Sequence, residues 1–174
     1  MSIARKALLT LALLGFAGSA TAAMLQPGET FPTWQLTDHT GTAVSSSELA
    51  GKTYLLWFYP KAMTPGCTKE GQGLRDHNAE LAQLQLVILG VSFDDPETNA
   101  EFVKRESFPF RLLSDKDGNL ATAVGAAWVT FQPMTRRVSY LVGPDGKVLK
   151  AYDSVDPAAH AEEVARDLRA LSAR

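Results

Sequence analysis

The sequence predicts a mixed three-layer α/β/α sandwich, and three observations predict it. Two short apolar runs, residues 54–59 and 86–92, each lead into a segment begun by proline and spaced as a helix, so strands alternate with helices and pair in parallel. Residues 137–142 and 147–152 flank Gly143-Pro144-Asp145-Gly146, a hairpin signal that turns the sheet antiparallel towards one edge. The chain closes on a segment in which Ala161, Val164, Leu168 and Leu171 form one apolar stripe at spacings of three and four, the mark of a helix laid on a core.

In chain order, the first residues stand apart from that domain. Arg5 and Lys6 precede an apolar run from Ala7 to Ala17, and Ala20-Thr21-Ala22 supplies small residues for cleavage, which is the pattern of a secretory signal peptide. The run is about eleven residues, short of the roughly 20 that cross a bilayer, so cleavage near Ala22 or Ala23 is favoured over a membrane anchor. No cysteine follows the run to carry a lipid. One domain over residues 24–174 is therefore expected, periplasmic or secreted and without stable membrane association.

After an extended lead-in over residues 24–31, residues 34–37 and 42–44 read as a small hairpin around a turn at Asp38 to Gly41. Ser45-Ser46-Ser47-Glu48 is a helix start that Gly51 ends after barely a turn. The apolar strand over 54–59 stops at Pro60. Thr64-Pro65 then sets an N-cap residue before proline at the first helical position, where a missing N–H costs nothing, and Leu74, Leu81 and Leu84 carry this helix to about Gln83. Residues 86–92, the most apolar run after the leader, form a second central strand. Asp95-Pro96 starts the next helix by the same rule, with Phe102 and Val103 as its buried residues and Phe108-Pro109 beyond its end. Leu112-Leu113 is a short strand, residues 115–118 a turn and residues 120–124 a short helix, and Asp156-Pro157 caps the last helix.

A chain of 174 residues, 45% apolar and 21% charged, sustains one ordinary core and not two. Its formal charge of −2 becomes about −4 once the leader takes away two of the 17 basic residues and no acid. Without a basic stripe interleaved with aromatics, nucleic acid is not expected as a partner. His39, His77 and His160 lie far apart with no paired ligand spacing, so neither a metal nor another cofactor is expected, and each is expected at the surface.

Cys67 is the one cysteine. It falls in the first turn of the helix begun by Thr64-Pro65, where unpaired N–H groups and the helix dipole favour a thiolate over a thiol. A cysteine kept for packing would sit inside an apolar periodic run, whereas Cys67 is flanked by Gly66, Thr68, Lys69 and Glu70. Gly66 leaves room for a substrate beside the backbone, and the Thr64 hydroxyl, three residues before the sulfur, suits a small oxygen-containing substrate as well as a cap. A lone cysteine in an exported chain forms no internal disulfide, so the thiol is intermolecular, buried or kept for chemistry.

Pro60, Thr64 and Cys67 stand in the spacing Pro-x-x-x-Thr-x-x-Cys. With Phe58-Tyr59-Pro60-Lys61 and Thr64-Pro65-Gly66-Cys67-Thr68-Lys69-Glu70, this string resembles the peroxiredoxins, and within them the peroxiredoxin Q (bacterioferritin comigratory protein) subfamily. The resemblance continues through Phe108-Pro109-Phe110-Arg111-Leu112-Leu113-Ser114-Asp115 and through residues 137–147. It implies a thioredoxin-like fold and a thiol-dependent peroxidase that reduces hydrogen peroxide and organic hydroperoxides through a peroxidatic Cys67. It further implies that Thr64 meets the peroxide, that Pro60 shields the sulfur, that Arg137 is the cation beside it and that Glu70 orients the arginine. Adjacent residues of a strand point opposite ways, so only one of Arg136 and Arg137 faces the cysteine.

One position departs from the subfamily. Many members carry a resolving cysteine five residues after the first, and here that residue is Gln72. An oxidised Cys67 must then be met by an outside thiol from a thioredoxin-like or glutaredoxin-like partner, a small-molecule thiol or another copy of the chain.

Other chemistries fit less well. In a Cys–His hydrolase His77 would be the base, yet it lies about 15 Å along the same expected helix; His39 and His160 stay open. A disulfide oxidoreductase lacks its second sulfur, since Thr64 stands where Cys-x-x-Cys needs one. The competing expectation from another class is an exported thioredoxin-fold binding or redox-sensing protein without peroxidase turnover.

Overall fold

The computed structural model describes residues 22–128 and 133–173, so the expected signal peptide over residues 1–23 lies outside it save for residues 22 and 23. A seven-stranded mixed sheet runs in the order β2-β1-β5-β4-β3-β8-β9. Its strands are β1 (Gln35–Asp38), β2 (Ala43–Ser45), β3 (Thr53–Phe58), β4 (Leu86–Ser92), β5 (Arg111–Ser114), β8 (Val138–Val142) and β9 (Val148–Tyr152), while β6 (Ala127–Trp128) and β7 (Met134–Thr135) pair separately. The helices are α1 (Pro65–Asp76), α2 (Asn78–Gln83), α3 (Pro96–Glu106), α4 (Asn119–Ala123) and α5 (His160–Ser172). As expected, β3, β4 and β5 pair in parallel, and β8 and β9 extend the sheet antiparallel from β3.

The two faces of β3 explain why its sequence is apolar throughout. Tyr54, Leu56 and Phe58 enter one core with Phe31, Trp34 and Tyr140, and Leu55 and Trp57 enter the other with Leu74, Phe102 and Leu141. A strand covered on both faces has no polar side to present, so period-two alternation disappears. The second core holds Cys67 and the buried faces of α1, α3 and α5.

Several expectations are corrected. The helix expected to reach Gln83 breaks at His77, whose φ of −93° and ψ of 2° end α1 and begin α2, while its ring Nδ1 lies 2.9 Å from Gly73 O. That carbonyl also accepts from His77 N at 3.1 Å, so backbone and side chain of His77 both close the last turn of α1. The last helix begins at His160 rather than at Pro157, because Asp156 Oδ1 accepts from Ala158 N at 2.9 Å and its carbonyl accepts from Ala159 N, a turn that precedes the helix. Val103 is half-buried, with Phe102 filling the core below α3. The pairing of β6 with β7 carries too few residues to leave a periodic signal and was not anticipated.

Candidate active site

The site is built where β3 ends. Tyr59 continues the pairing with β4 through its N–H to Val91 O at 3.1 Å, and its own carbonyl accepts from Thr135 Oγ1 at 2.6 Å. The chain then crosses from strand to helix through Pro60 to Thr64, with Met63 in the left-handed region at φ 61°. Asp94 fastens this crossing: Oδ2 accepts from Ala62 N at 2.8 Å and Oδ1 from Lys61 Nζ at 3.1 Å. Thr64 takes the N-cap position with Pro65 behind it, but its hydroxyl donates back to Lys61 O at 2.9 Å instead of capping α1. Its carbonyl accepts from Thr68 N at 2.8 Å, which starts the helix and sets Cys67 in the first turn, fully buried.

Arg137 reaches the sulfur. Its Nη2 donates to Cys67 Sγ at 3.3 Å and its Nη1 to Glu70 Oε2 at 2.5 Å, so one guanidinium spans two groups a helical turn apart on α1. The register of β8 on β3 brings it there, since Val138 lies opposite Phe58, the last residue of the strand that leads to the site. Arg136 turns the other way: its N–H donates to Ala126 O at 2.6 Å and its Nη1 to Gly125 O at 2.9 Å. Gly66 serves the arginine as much as any substrate, because a Cβ there would stand 2.9 Å from Arg137 Nη2.

Glu70 is buried, not a surface glutamate. Burial pushes its carboxyl up from an ordinary 4.5 to about 7, and Arg137 holds it back from going further. Burial also works against the charge on Arg137, but the sulfur and Glu70 outweigh it and hold the guanidinium above its usual value. His160, expected at the surface, is buried at the start of α5, its ring edge-on to Tyr152 at 5.1 Å between centroids. Burial, then Lys150 and Arg137, push it down from 6.5 to about 4. Sequence reasoning missed it because the apolar stripe of α5 starts at Ala161, one residue later.

Pro60 and Arg137 line a cavity of about 370 Å³ together with Trp128, Met134, Arg136 and Asp153. Trp128 is 59% exposed, which marks this mouth as an apolar surface among the described residues. A larger cavity of about 580 Å³ between Trp34, Leu36, Asp115 and Asn119 holds none of the site residues. Gln72 does not face the sulfur chemistry at all. Its Nε2 donates to Glu106 Oε2 at 2.8 Å, and Arg75 Nη1 donates to Glu106 O at 2.7 Å, so two residues of α1 are tied to the end of α3.

The chain is similar to known proteins in sequence and in fold. The AhpC/TSA family matches residues 27–151. A putative peroxiredoxin, bcp, of Haemophilus influenzae is 37% identical over 153 residues, covering 84% of this chain and 98% of its own. The crystal structure of peroxidoxin BcpB from Mycobacterium tuberculosis is similar with a TM-score of 0.79 and 33% identity, over 84% of this chain and 98% of that one. The bacterioferritin comigratory protein of Xanthomonas campestris, described for its alkyl peroxide reduction activity, is similar with a TM-score of 0.76 and 30% identity, over 86% and 98%. The thioredoxin-like fold, the lone cysteine on its helix and these matches together make the chain a member of the AhpC/TSA family, the peroxiredoxins, which are thiol-dependent peroxidases.

Proposed function

We propose that Cys67 is the peroxidatic nucleophile, reducing hydrogen peroxide and small organic hydroperoxides. The observation that carries this is the Arg137 guanidinium divided between the Cys67 sulfur and Glu70. As a thiolate, the sulfur attacks one peroxide oxygen along the O–O axis. That bond breaks, its electron pair leaves on the far oxygen, and this oxygen takes a proton to depart as water or an alcohol. Sulfur is oxidised to a sulfenic acid and the peroxide is reduced. Arg137 donates to charge developing on oxygen as well as to sulfur, with a permanent positive charge that a neutral side chain at that place would lack. Pro60, which lines the cavity with Arg137, is the wall that keeps bulk water away, and Thr64, three residues before Cys67, is the hydroxyl that meets the peroxide. The alkyl peroxide activity described for the Xanthomonas campestris relative supports the organic substrates.

Turnover uses a thiol from outside the chain, because Cys67 is the only sulfur of its kind. The sulfenic acid and an incoming thiol condense to a mixed disulfide and water, and a second thiol displaces Cys67 as the free thiol. The leader pattern supports an antioxidant role in the periplasm or beyond the cell, with a thioredoxin-like or glutaredoxin-like protein or a small thiol as the donor.

Mass spectrometry after one equivalent of peroxide tests the reading. One oxygen should appear on Cys67, and thiol added before electrophoresis should convert that fraction to a mixed disulfide. Oxidation confined to methionines, with Cys67 untouched, would replace the peroxidase with a binding or sensing protein.

A further inference from the structure

Glu70 is a buried carboxylate with only half of its hydrogen bonding accounted for. Oε2 accepts from Arg137, while Oε1 has no hydrogen-bond partner among the described residues. The nearest charge-capable group on that side is His160, whose Nε2 lies 4.0 Å from Oε1. The same Nε2 lies 2.9 Å from Ser139 Oγ, and His160 Nδ1 has no partner among the described residues. Ser139 lies in β8 two residues after Arg137, which stands just before the strand, and the contacts of the two side chains place them towards α5 and α1 respectively. Four side chains from three separate elements therefore stand in line behind the sulfur: Arg137, Glu70, His160 and Ser139.

The unpartnered Nδ1 decides the tautomer. A proton there would be a buried donor with no acceptor, so the proton belongs on Nε2, which donates to Ser139 Oγ at 2.9 Å and stands 4.0 Å from Glu70 Oε1. The N–H-bearing side of the imidazole, 4.0 Å from Oε1, lowers the cost of a buried negative charge on Glu70 by its dipole, while Oε2 stays with Arg137.

We propose that His160, fixed by Ser139, is a positioning residue of the peroxidatic site: it sets the charge and orientation of Glu70, which in turn holds the Arg137 guanidinium on Cys67. This rests on the reading of Cys67 as the peroxidatic nucleophile. The ionisable groups that face Glu70 are Cys67 on its own helix, Arg137 at the lead into β8 and His160 on α5. Behind His160 stand Lys150 of β9 and Asp167 of α5, paired with each other at 2.6 Å. Glu70 is the group in this set whose ordinary titration burial brings close to neutrality, so removing the imidazole should show there first.

The test follows Glu70 in the full chain by carbon-13 NMR of labelled glutamate carboxyls, with Glu70→Gln identifying the signal, alongside the second-order rate of Cys67 oxidation by hydrogen peroxide from pH 5.5 to 8.5. His160→Phe should move both the carboxyl titration and the midpoint of the rate profile up by about one pH unit and slow oxidation about tenfold at pH 7. His160→Gln, which keeps an N–H at that place, should stay near the parent. If His160→Phe does not fold, Ser139→Ala should move the titration the same way by a smaller amount. Combined with Glu70→Gln, the His160 substitution should add nothing to the rate profile. An unmoved carboxyl titration, or a His160 effect of the same size with glutamine at position 70, overturns the proposal. A parent protein whose Cys67 reacts at no pH overturns the peroxidase reading itself.

Discussion

Arg137 Nη2 lies 3.3 Å from Cys67 Sγ, while its neighbour Arg136 is fastened instead to the Gly125 carbonyl. The two arginines should therefore part in their effects. Arg137→Ala should lower the rate of Cys67 oxidation by peroxide on the order of a hundredfold, because its bonds strengthen as charge develops on oxygen, and should lower the thermal midpoint as well, because buried Glu70 loses its partner. Arg136→Ala should leave that rate within about threefold of the parent. Stopped-flow rates for the two variants decide it, and a larger loss at Arg136 would reverse the assignment.

Gly66 should behave as a rate residue although it carries no side chain. Alanine there would bring a Cβ to 2.9 Å from Arg137 Nη2, closer than nonbonded atoms settle, and the mobile partner is the guanidinium. Gly66→Ala should thus displace Arg137 from the sulfur and slow oxidation by about tenfold, while a helix that gains alanine for glycine should lose no stability. Unchanged kinetics with a lowered thermal midpoint would mean that the backbone, not Arg137, gives way.

Glu70 and His160 should pull stability in opposite directions with pH. The fold binds the Glu70 proton more tightly than the unfolded chain does, so this contribution, on the order of 3 kcal/mol, is complete below pH 4.5 and is lost as pH rises through about 7. His160 is a base that the fold keeps neutral, so its cost is greatest below pH 4 and disappears as pH rises through 6.5. Between pH 4.5 and 6.5 the two slopes oppose, and the parent should be nearly flat. Urea midpoints should fall across that window in His160→Gln and rise in Glu70→Gln; equal slopes in all three proteins would show that neither group titrates as its burial requires.

Asp94 should govern how firmly the segment before Cys67 is held. Its carboxylate is nearly buried and receives Ala62 N, Lys61 Nζ and Ser92 Oγ. Asp94→Ala leaves the Ala62 N–H without its acceptor and should cost about 1–3 kcal/mol. Hydrogen exchange should quicken over residues 61–66 more than in β4, where the sheet pairing is intact. Uniform quickening across the whole domain would make Asp94 a global rather than a local restraint.

How much of this was written locally in the chain differs from element to element. The spacing of Pro60, Thr64 and Cys67, the proline-started helices, the apolar run of β3 and the turn at Gly143 to Gly146 all depend on residues within a few positions of one another, where hard-sphere backbone limits and side-chain periodicity act. Those features stood in the sequence by themselves, and so did the absence of a second cysteine. Tertiary structure decided the rest. Which arginine meets the sulfur depends on Val138 pairing with Phe58, and the burial of Glu70 depends on a partner 67 residues away. His160 carries no local sign of burial, because its environment is made by Ser139, Tyr152 and Glu70. A charged or polar side chain enters a core only where distant groups offset its desolvation, and such pairings come from the register and packing of whole elements rather than from the periodicity of any one of them.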